Sequence, residues 1–161
     1  MTFTVYCDGS AKGNGTNNSA GAWAYVVLAE VDGKEQIIHS GSGAETNTTN
    51  QRMELTAAIE ALTHVTLVQL VLPFDRIIVN TDSAYLYNCF TQKWYKNWQM
   101  NDWKNSKKQP VANRDLWERL IYFFEMPEVE FVKVKGHAGV EYNEIVDKMA
   151  QDAAEELKNN L

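Results

Sequence analysis

Two short stretches of this 161-residue chain share one shape. Phe3-Thr4-Val5-Tyr6-Cys7-Asp8-Gly9-Ser10 and Arg76-Ile77-Ile78-Val79-Asn80-Thr81-Asp82-Ser83 each read as an apolar strand running into an aspartate, with small residues behind it. A lone strand-terminal aspartate is usually a turn former, its side chain bonding a backbone N–H two residues on. Two of them on neighbouring strands would face each other. Bare carboxylates that close repel until one takes up a proton or a cation intervenes. A hard divalent ion resolves the conflict, because Mg²⁺ prefers carboxylate oxygens and water. Glu54 can join them: it falls on the same side of a helical pattern as Ala57, Ala58 and Ala61. A glutamate in a first helical turn also complements the helix dipole, and alone it reads that way. Asp147, beside inward-facing Val146 and Ala150 on a last helix, can be the fourth. Four carboxylates without a Cys/His cluster favour magnesium or manganese over zinc.

The hydrophobic pattern supplies the elements that must position these acids. A first strand ends at Asp8, and Gly13-Asn14-Gly15 with polar Thr16 to Ser19 turns the chain into a second strand, Ala22 to Glu30. Asp32-Gly33 is a hairpin signal, and Gln36 to Ser42 makes a third strand. No helical pattern follows the glycines around Asn14, so they read as turn chemistry rather than a phosphate cradle. Met53, Ala57, Ala61 and Val65 then fall four apart, predicting an amphipathic helix capped by Asn50 or Thr49. Arg76 to Thr81 is a fourth strand, and strand–helix–strand implies a right-handed, parallel crossover. A short helix over Ser83 to Phe90, a Trp/Lys-rich segment, a helix over Arg114 to Glu125 and a fifth strand over Glu128 to Lys135 follow. The loop Gly136 to Gly139 leads to a last helix through Leu157. No repeat or linker divides the chain. The expectation is one α/β domain over residues 1–161, a five-stranded mixed sheet of three antiparallel strands and two added through helices, flanked by helices.

Composition adds limits. The chain is 45% hydrophobic and 22% charged, as ordinary globular proteins are. Cys7 and Cys89 lack metal-type spacing and read as reduced thiols, with a disulfide left open. The chain opens directly in its first strand, so no leader or transit segment is expected. No apolar run approaches the roughly 18 residues of a membrane span. Net charge is −6, but its distribution is two-ended. Residues 89–113 hold Lys93, Lys96, Lys104, Lys107 and Lys108 against Asp102 alone, whereas residues 141–161 hold six acids against two lysines. A local basic patch binds phosphates despite an acidic total, and a solvated charged face explains the charge equally well.

Five words in order give a sharper reading: "YCDGS", "NQRMEL" (Asn50 to Leu55), "TDSAYL" (Thr81 to Leu86), "VKGHAG" (Val134 to Gly139) and "NEIVDKMA" (Asn143 to Ala150). Each alone is weak. Together, with Asp147 ten positions after His137, they closely resemble the bacterial type 1 ribonuclease H family from Thr4 to about Ala154. The resemblance implies a ribonuclease H-like fold and a metal-dependent endonuclease. Its substrate would be the RNA strand of RNA–DNA hybrids, cut to 5′-phosphate and 3′-hydroxyl ends. It makes Asp8, Glu54, Asp82 and Asp147 ligands of two Mg²⁺ ions, with Mn²⁺ as a substitute. His137 matches a loop histidine that relays a proton or helps release product. Gly9, Ser10, Asn14, Asn50 and Gln51 fall where the hybrid passes, and Asn143 and Glu144 match positions flanking the active site.

The Trp94, Trp98 and Trp103 segment corresponds to the family's basic protrusion, at about residues 89–113. The tryptophans are expected mostly to pack the protrusion, while Trp94, Lys96, Lys107 and Lys108 touch the DNA strand. Ala84 stands where many relatives carry a hybrid-contacting glutamine, and Gln99 to Asp102 replaces a more basic run. No separate hybrid-binding domain is expected, and the enzyme reads as a cytoplasmic monomer. A DNA-acting nuclease or transposase of the same fold and a catalytically silent hybrid-binding module are the alternatives.

Overall fold

The computed structural model describes residues 1–12, 20–68, 75–135 and 141–160. His137, Asn14, the turn at 13–19 and the connection at 69–74 lie outside them. Five strands form one sheet in the order β3-β2-β1-β4-β5: β1 (Thr2–Lys12), β2 (Ala20–Val31), β3 (Lys34–Thr46), β4 (Arg76–Thr81) and β5 (Val129–Lys133). The first three pair antiparallel, and β4 and β5 add in parallel. Asp32 and Gly33 join β2 to β3 with φ of 51° and 80°, both positive as a type I′ hairpin turn requires. β3 slips register between Val27 and Leu28 of β2, leaving Ile38 as the extra residue of a bulge.

β1 and β3 run further than their sequence suggests. β1 does not stop at Asp8. Its ladder with β4 ends at Tyr6–Asn80, but its ladder with β2 continues to Lys12–Ala20. Asp8 therefore stands at the point where one edge of the strand loses its partner and the other keeps it. β3 continues through Gly41 and Gly43, which lie under the rings of Tyr25 and Trp23. A Cβ on Gly41 would stand 2.7 Å from the Tyr25 hydroxyl, and one on Gly43 2.5 Å from the Trp23 ring. The glycines are thus covered by cross-strand aromatics, which restore the packing that glycine forfeits.

Helices α1 (Asn50–Val68), α2 (Ala84–Gln92), α3 (Trp94–Met100), α4 (Arg114–Phe124) and α5 (Glu141–Asn159) complete the fold. Period-2 alternation splits the sheet's side chains between two cores. Phe3, Val5, Cys7, Tyr25, Val27, Ile77 and Val79 meet α1, α2 and α4 on one face. Ala22, Ala24, Val26 and Leu28 meet Val146 and Ala150 of α5 on the other. Thr49 caps α1, its Oγ1 accepting from the Arg52 N–H at 3.1 Å. Ser83 caps α2 by accepting from the Leu86 N–H at 3.1 Å. Cys7 and Cys89 are both free and buried.

One cluster on the α1 face brings two histidines together. The His39 and His64 rings, from β3 and α1, lie 4.6 Å apart, and His39 Nε2 shares a 2.8 Å hydrogen bond with the Tyr25 hydroxyl. Burial and then the neighbouring His64 hold His39 below its ordinary 6.5. Burial and then Glu60 push the Tyr25 hydroxyl up to about 12, so it stays a donor. A histidine depressed in the fold is protonated first in the unfolded chain, so stability is lost as pH falls through the unfolded value. We predict that the melting temperature falls more steeply between about pH 7 and about pH 5 in the wild type than in His39→Gln. Parallel curves would refute this.

Candidate active site

Asp8 and Asp82 each stand two residues beyond the Tyr6–Asn80 pair, so parallel register alone sets them side by side. Three hydrogen bonds hold the end of β4, one to β1, one toward β5 and one within the turn. The buried Asn80 amide donates to the Val5 carbonyl at 3.1 Å, the Val134 N–H to the Thr81 carbonyl at 2.9 Å, and the Ser83 N–H to Thr81 Oγ1 at 3.1 Å. The "TDS" word is therefore a clamp: threonine and serine organise the turn that carries Asp82 into the cap of α2.

Glu54 enters from α1. It is the fifth residue of that helix, beyond the first turn, which holds no acid. Dipole complementation does not account for it. The reason for Gly9 also becomes visible. A Cβ there would sit 2.3 Å from the Met53 carbonyl carbon and 2.5 Å from the Glu54 backbone nitrogen. Gly9 is small so that the α1 backbone can press against β1. Asn50 tightens the same contact by accepting from the Ala11 N–H. Arg52 ties the start of α1 to α4 through a two-armed pair with Asp115 at 2.8 and 3.0 Å.

Asp8, Glu54 and Asp82 each offer an oxygen within 4.8 Å of the others. Asp8 is 8% exposed, and its Oδ1 accepts from the Gly9 N–H at 2.9 Å. Burial, then the Asp82 charge and a hydrogen bond with Asp147, push the Asp8 carboxyl up to about 8. Glu54 is pushed well above the carboxylate range by burial, then by the charges of Asp8 and Asp82. Its Oε2 is buried without a hydrogen-bond partner among the described residues. Carboxyl oxygens, crowded and incompletely satisfied, fit a bound cation.

Asp147 reaches Asp8 from α5 on the opposite face of the sheet. The Gln151 amide, one turn along, donates to Asp147 Oδ2 at 3.0 Å. Gln151 escaped the sequence reading, although its i+4 spacing from a candidate ligand was the available signal. Asn143, at the start of α5, is buried, and its Oδ1 has no partner among the described residues. Among candidate substrate residues, Ser10 and Gln51 are exposed around the cluster, and Gly9 is buried within it.

The protrusion lies apart. Trp94, Trp98 and Trp103 are half-buried, and Trp98 packs 5.6 Å from the Trp117 ring. The Arg114 guanidinium covers Trp103 at 4.8 Å. Lys107 and Lys108 are exposed, whereas Lys96 pairs with Glu125 at 3.5 Å.

A mixed sheet with strand carboxylates beside a helix-borne glutamate defines the ribonuclease H-like class. A sequence profile of that family, RNase H, matches residues 1–155. The ribonuclease H of Clostridium botulinum is 41% identical over 153 residues, 95% of each chain. That of Syntrophomonas wolfei is 43% identical over 153 residues, 95% of this chain and 96% of its own. This chain belongs to the ribonuclease H family. Among solved structures it is similar to LC9-RNase H1, a type 1 RNase H with the type 2 active-site motif. That likeness has a TM-score of 0.78 and 28% identity over 95% of this chain and 72% of the other. LC11-RNase H1, solved in complex with RNA/DNA hybrid, shares the fold: TM-score 0.69, 22% identity, 96% and 98% of the two chains.

The raised carboxyls have a consequence for stability. An acid raised in the fold keeps a proton that the unfolded chain has lost, so its stabilising contribution fades as pH rises through the interval. For Asp8 that interval runs from its ordinary 3.8 to about 8. We predict that Asp82→Asn melts above the wild type in EDTA at about pH 8, with the gain shrinking toward about pH 4. The same variant should lose the rise in melting temperature that Mg²⁺ gives the wild type, since that rise measures binding to the folded state. Scanning calorimetry with and without EDTA checks both; a variant less stable than wild type at the higher pH would contradict it.

Proposed function

We propose that this chain is a metal-dependent endoribonuclease that hydrolyses the RNA strand of RNA–DNA hybrids, leaving 5′-phosphate and 3′-hydroxyl ends. The observation that carries this is the buried Asp8–Glu54–Asp82 cluster in a chain of the ribonuclease H family. In this reading Asp8, Glu54 and Asp82, joined by Asp147, hold two Mg²⁺ ions, for which Mn²⁺ can substitute. When bound, the ions supply an acidified water as nucleophile and neutralise the charge gathering on the leaving 3′-oxygen.

The chain's own groups do the rest. Asp8 and Asp82 stay fixed because β1 and β4 cannot slide without breaking their ladder. Gln151 orients the Asp147 carboxylate. His137 moves a proton near neutral pH, for which imidazole is suited. Gly9, Ser10, Asn14, Asn50, Gln51 and Asn143 face the hybrid, reading 2′-hydroxyls across its shallow minor groove. Asn50 does so while also fixing α1 to β1. Trp94, Lys96, Lys107 and Lys108 contact the DNA strand. No helix among the described residues is long and apolar enough to cross a membrane. We place the enzyme in the cytoplasm, acting as a monomer in a single catalytic domain over residues 1–161.

A 5′-labelled RNA–DNA hybrid incubated with Mg²⁺ should be cut in the RNA strand only. EDTA should stop the reaction, and Asp82→Asn should slow it by roughly two to four orders of magnitude, the share of several kcal/mol of transition-state charge stabilisation. Cutting of double-stranded DNA in place of the hybrid would favour the DNA-acting alternative. Hybrid binding without cutting would favour the silent module.

A further inference from the structure

A groove of about 480 Å³ opens beside Asp147 and runs between the end of the β1–β2 ladder and α5. Ser10 and Lys12 of β1 form one bank, and Asp147, Gln151, Glu155 and Lys158 of α5 form the other. The α5 residues are spaced four, four and three apart, so they line one face of the helix. Over these eleven residue steps the bank extends about 16 Å. Its near end is the carboxylate that reaches Asp8. Its far end is a lysine.

The charges make this groove more than a surface crease. Five of the chain's 15 lysines and arginines pair with its own acids among the described residues: Arg52 with Asp115, Arg76 with Glu130, Lys96 with Glu125, Arg114 with Glu118 and Lys148 with Asp152. Lys12 and Lys158 are exposed on opposite banks and have no ion-pair partner among the described residues. Ser10 Oγ and the Gln151 amide add neutral polar groups between the lysines and the cluster. Glu155 is the acid of the lining along the far stretch, between Gln151 and Lys158. An unpaired cation on each bank, reached through a polar channel from an acidic cluster, fits a backbone whose phosphates are spaced along a strand.

We infer that this groove is a track for the strand being cut, in which Lys12 and Lys158 hold backbone phosphates on one side of the scissile bond. The inference rests on the proposed hydrolysis of hybrids and extends it to the length of RNA the enzyme engages. The substrate feature recognised is a single-stranded RNA extension leaving the hybrid at the cluster.

Fluorescence anisotropy tests it, with Ca²⁺ in place of Mg²⁺ so that the probe stays intact. The probes are a blunt hybrid and hybrids whose RNA strand continues as a single strand on the 5′ or the 3′ side. One of the two extended probes should bind wild-type protein several-fold more tightly than the blunt one. Lys12→Gln/Lys158→Gln should abolish that gain, and the salt dependence for that probe should flatten by about 1.4 in log–log slope, the value for two phosphates of a single strand. Lys34→Gln, which removes a charge at the β2–β3 turn, should retain the gain. The inference is overturned if neither extension strengthens wild-type binding, if the gain survives in the double variant, or if Lys34→Gln removes it equally. Cleavage of the blunt hybrid by wild-type protein with Mg²⁺ is scored in parallel. Cleavage with no extension effect defeats the track alone, and absence of cleavage defeats the catalytic reading.

Discussion

Mutual repulsion among Asp8, Glu54 and Asp82 is the constraint that the rest of the fold answers to. Three carboxylates in a largely buried space disfavour their own ionisation, and Asp8 responds by holding its proton to about pH 8. Left to relax, such groups would move apart. Parallel pairing holds Asp8 to Asp82, while the contact of Gly9 with the α1 backbone holds Glu54 to both. The Arg52–Asp115 pair and the Asn50–Ala11 hydrogen bond pin the start of α1 from two directions. Strain of this kind persists only where surrounding structure over-determines it, and functional sites are where it concentrates.

The site is also assembled across a layer boundary. Glu54 belongs to the core on the α1 face, and Asp147 to the helix on the opposite face. The sheet between them ends, for β1 and β4, at Tyr6–Asn80. Only past that line can groups from both faces meet without crossing a sheet. The asymmetric ending of β1 is therefore functional geometry: its pairing with β4 stops early enough to open the cluster, and its pairing with β2 continues far enough to keep Asp8 rigid. Ser10 and Lys12 ride on that continuation.

Much of this was legible in the sequence, and what was not has definite causes. Alternation revealed which strands exist, and spacing by four revealed α1, because half-buried strands and amphipathic helices impose those periods. The aspartates were legible as a pair because the two strands share one word shape. The length of β1 was hidden because Ser10 to Lys12 is short and polar, and its strand character comes from β2. β3 was cut short for a similar reason: Gly41 and Gly43 argue against a strand until the Tyr25 and Trp23 rings lie over them. Glu54 looked like a first-turn acid because the cap was left between Thr49 and Asn50; with Thr49 as cap it falls one residue too late. Gly9 stood out as a small residue behind the aspartate, and the contact it permits is helix against strand. That contact is long-range, and no local pattern encodes it.

An acidic chain that handles a polyanion faces a further difficulty, and the arrangement of charge addresses it. With a net charge of −6, a phosphodiester is repelled by the cluster and by much of the surface. Five of the 15 lysines and arginines pair with acids among the described residues, and the exposed lysines without such a partner include Lys107 and Lys108 on the protrusion and Lys12 and Lys158 beside α5. These stand on different elements, not in one basic face. In the proposed reaction the cluster itself becomes hospitable to phosphate only when cations neutralise it. Reciprocity then follows: whatever a bound cation contributes to holding the phosphate, the phosphate returns in holding the cation. A site whose carboxyls keep protons near neutrality without a cation, and lose them when one binds, is poised for that coupling, since the buried charge is tolerated only while the compensating charge is present.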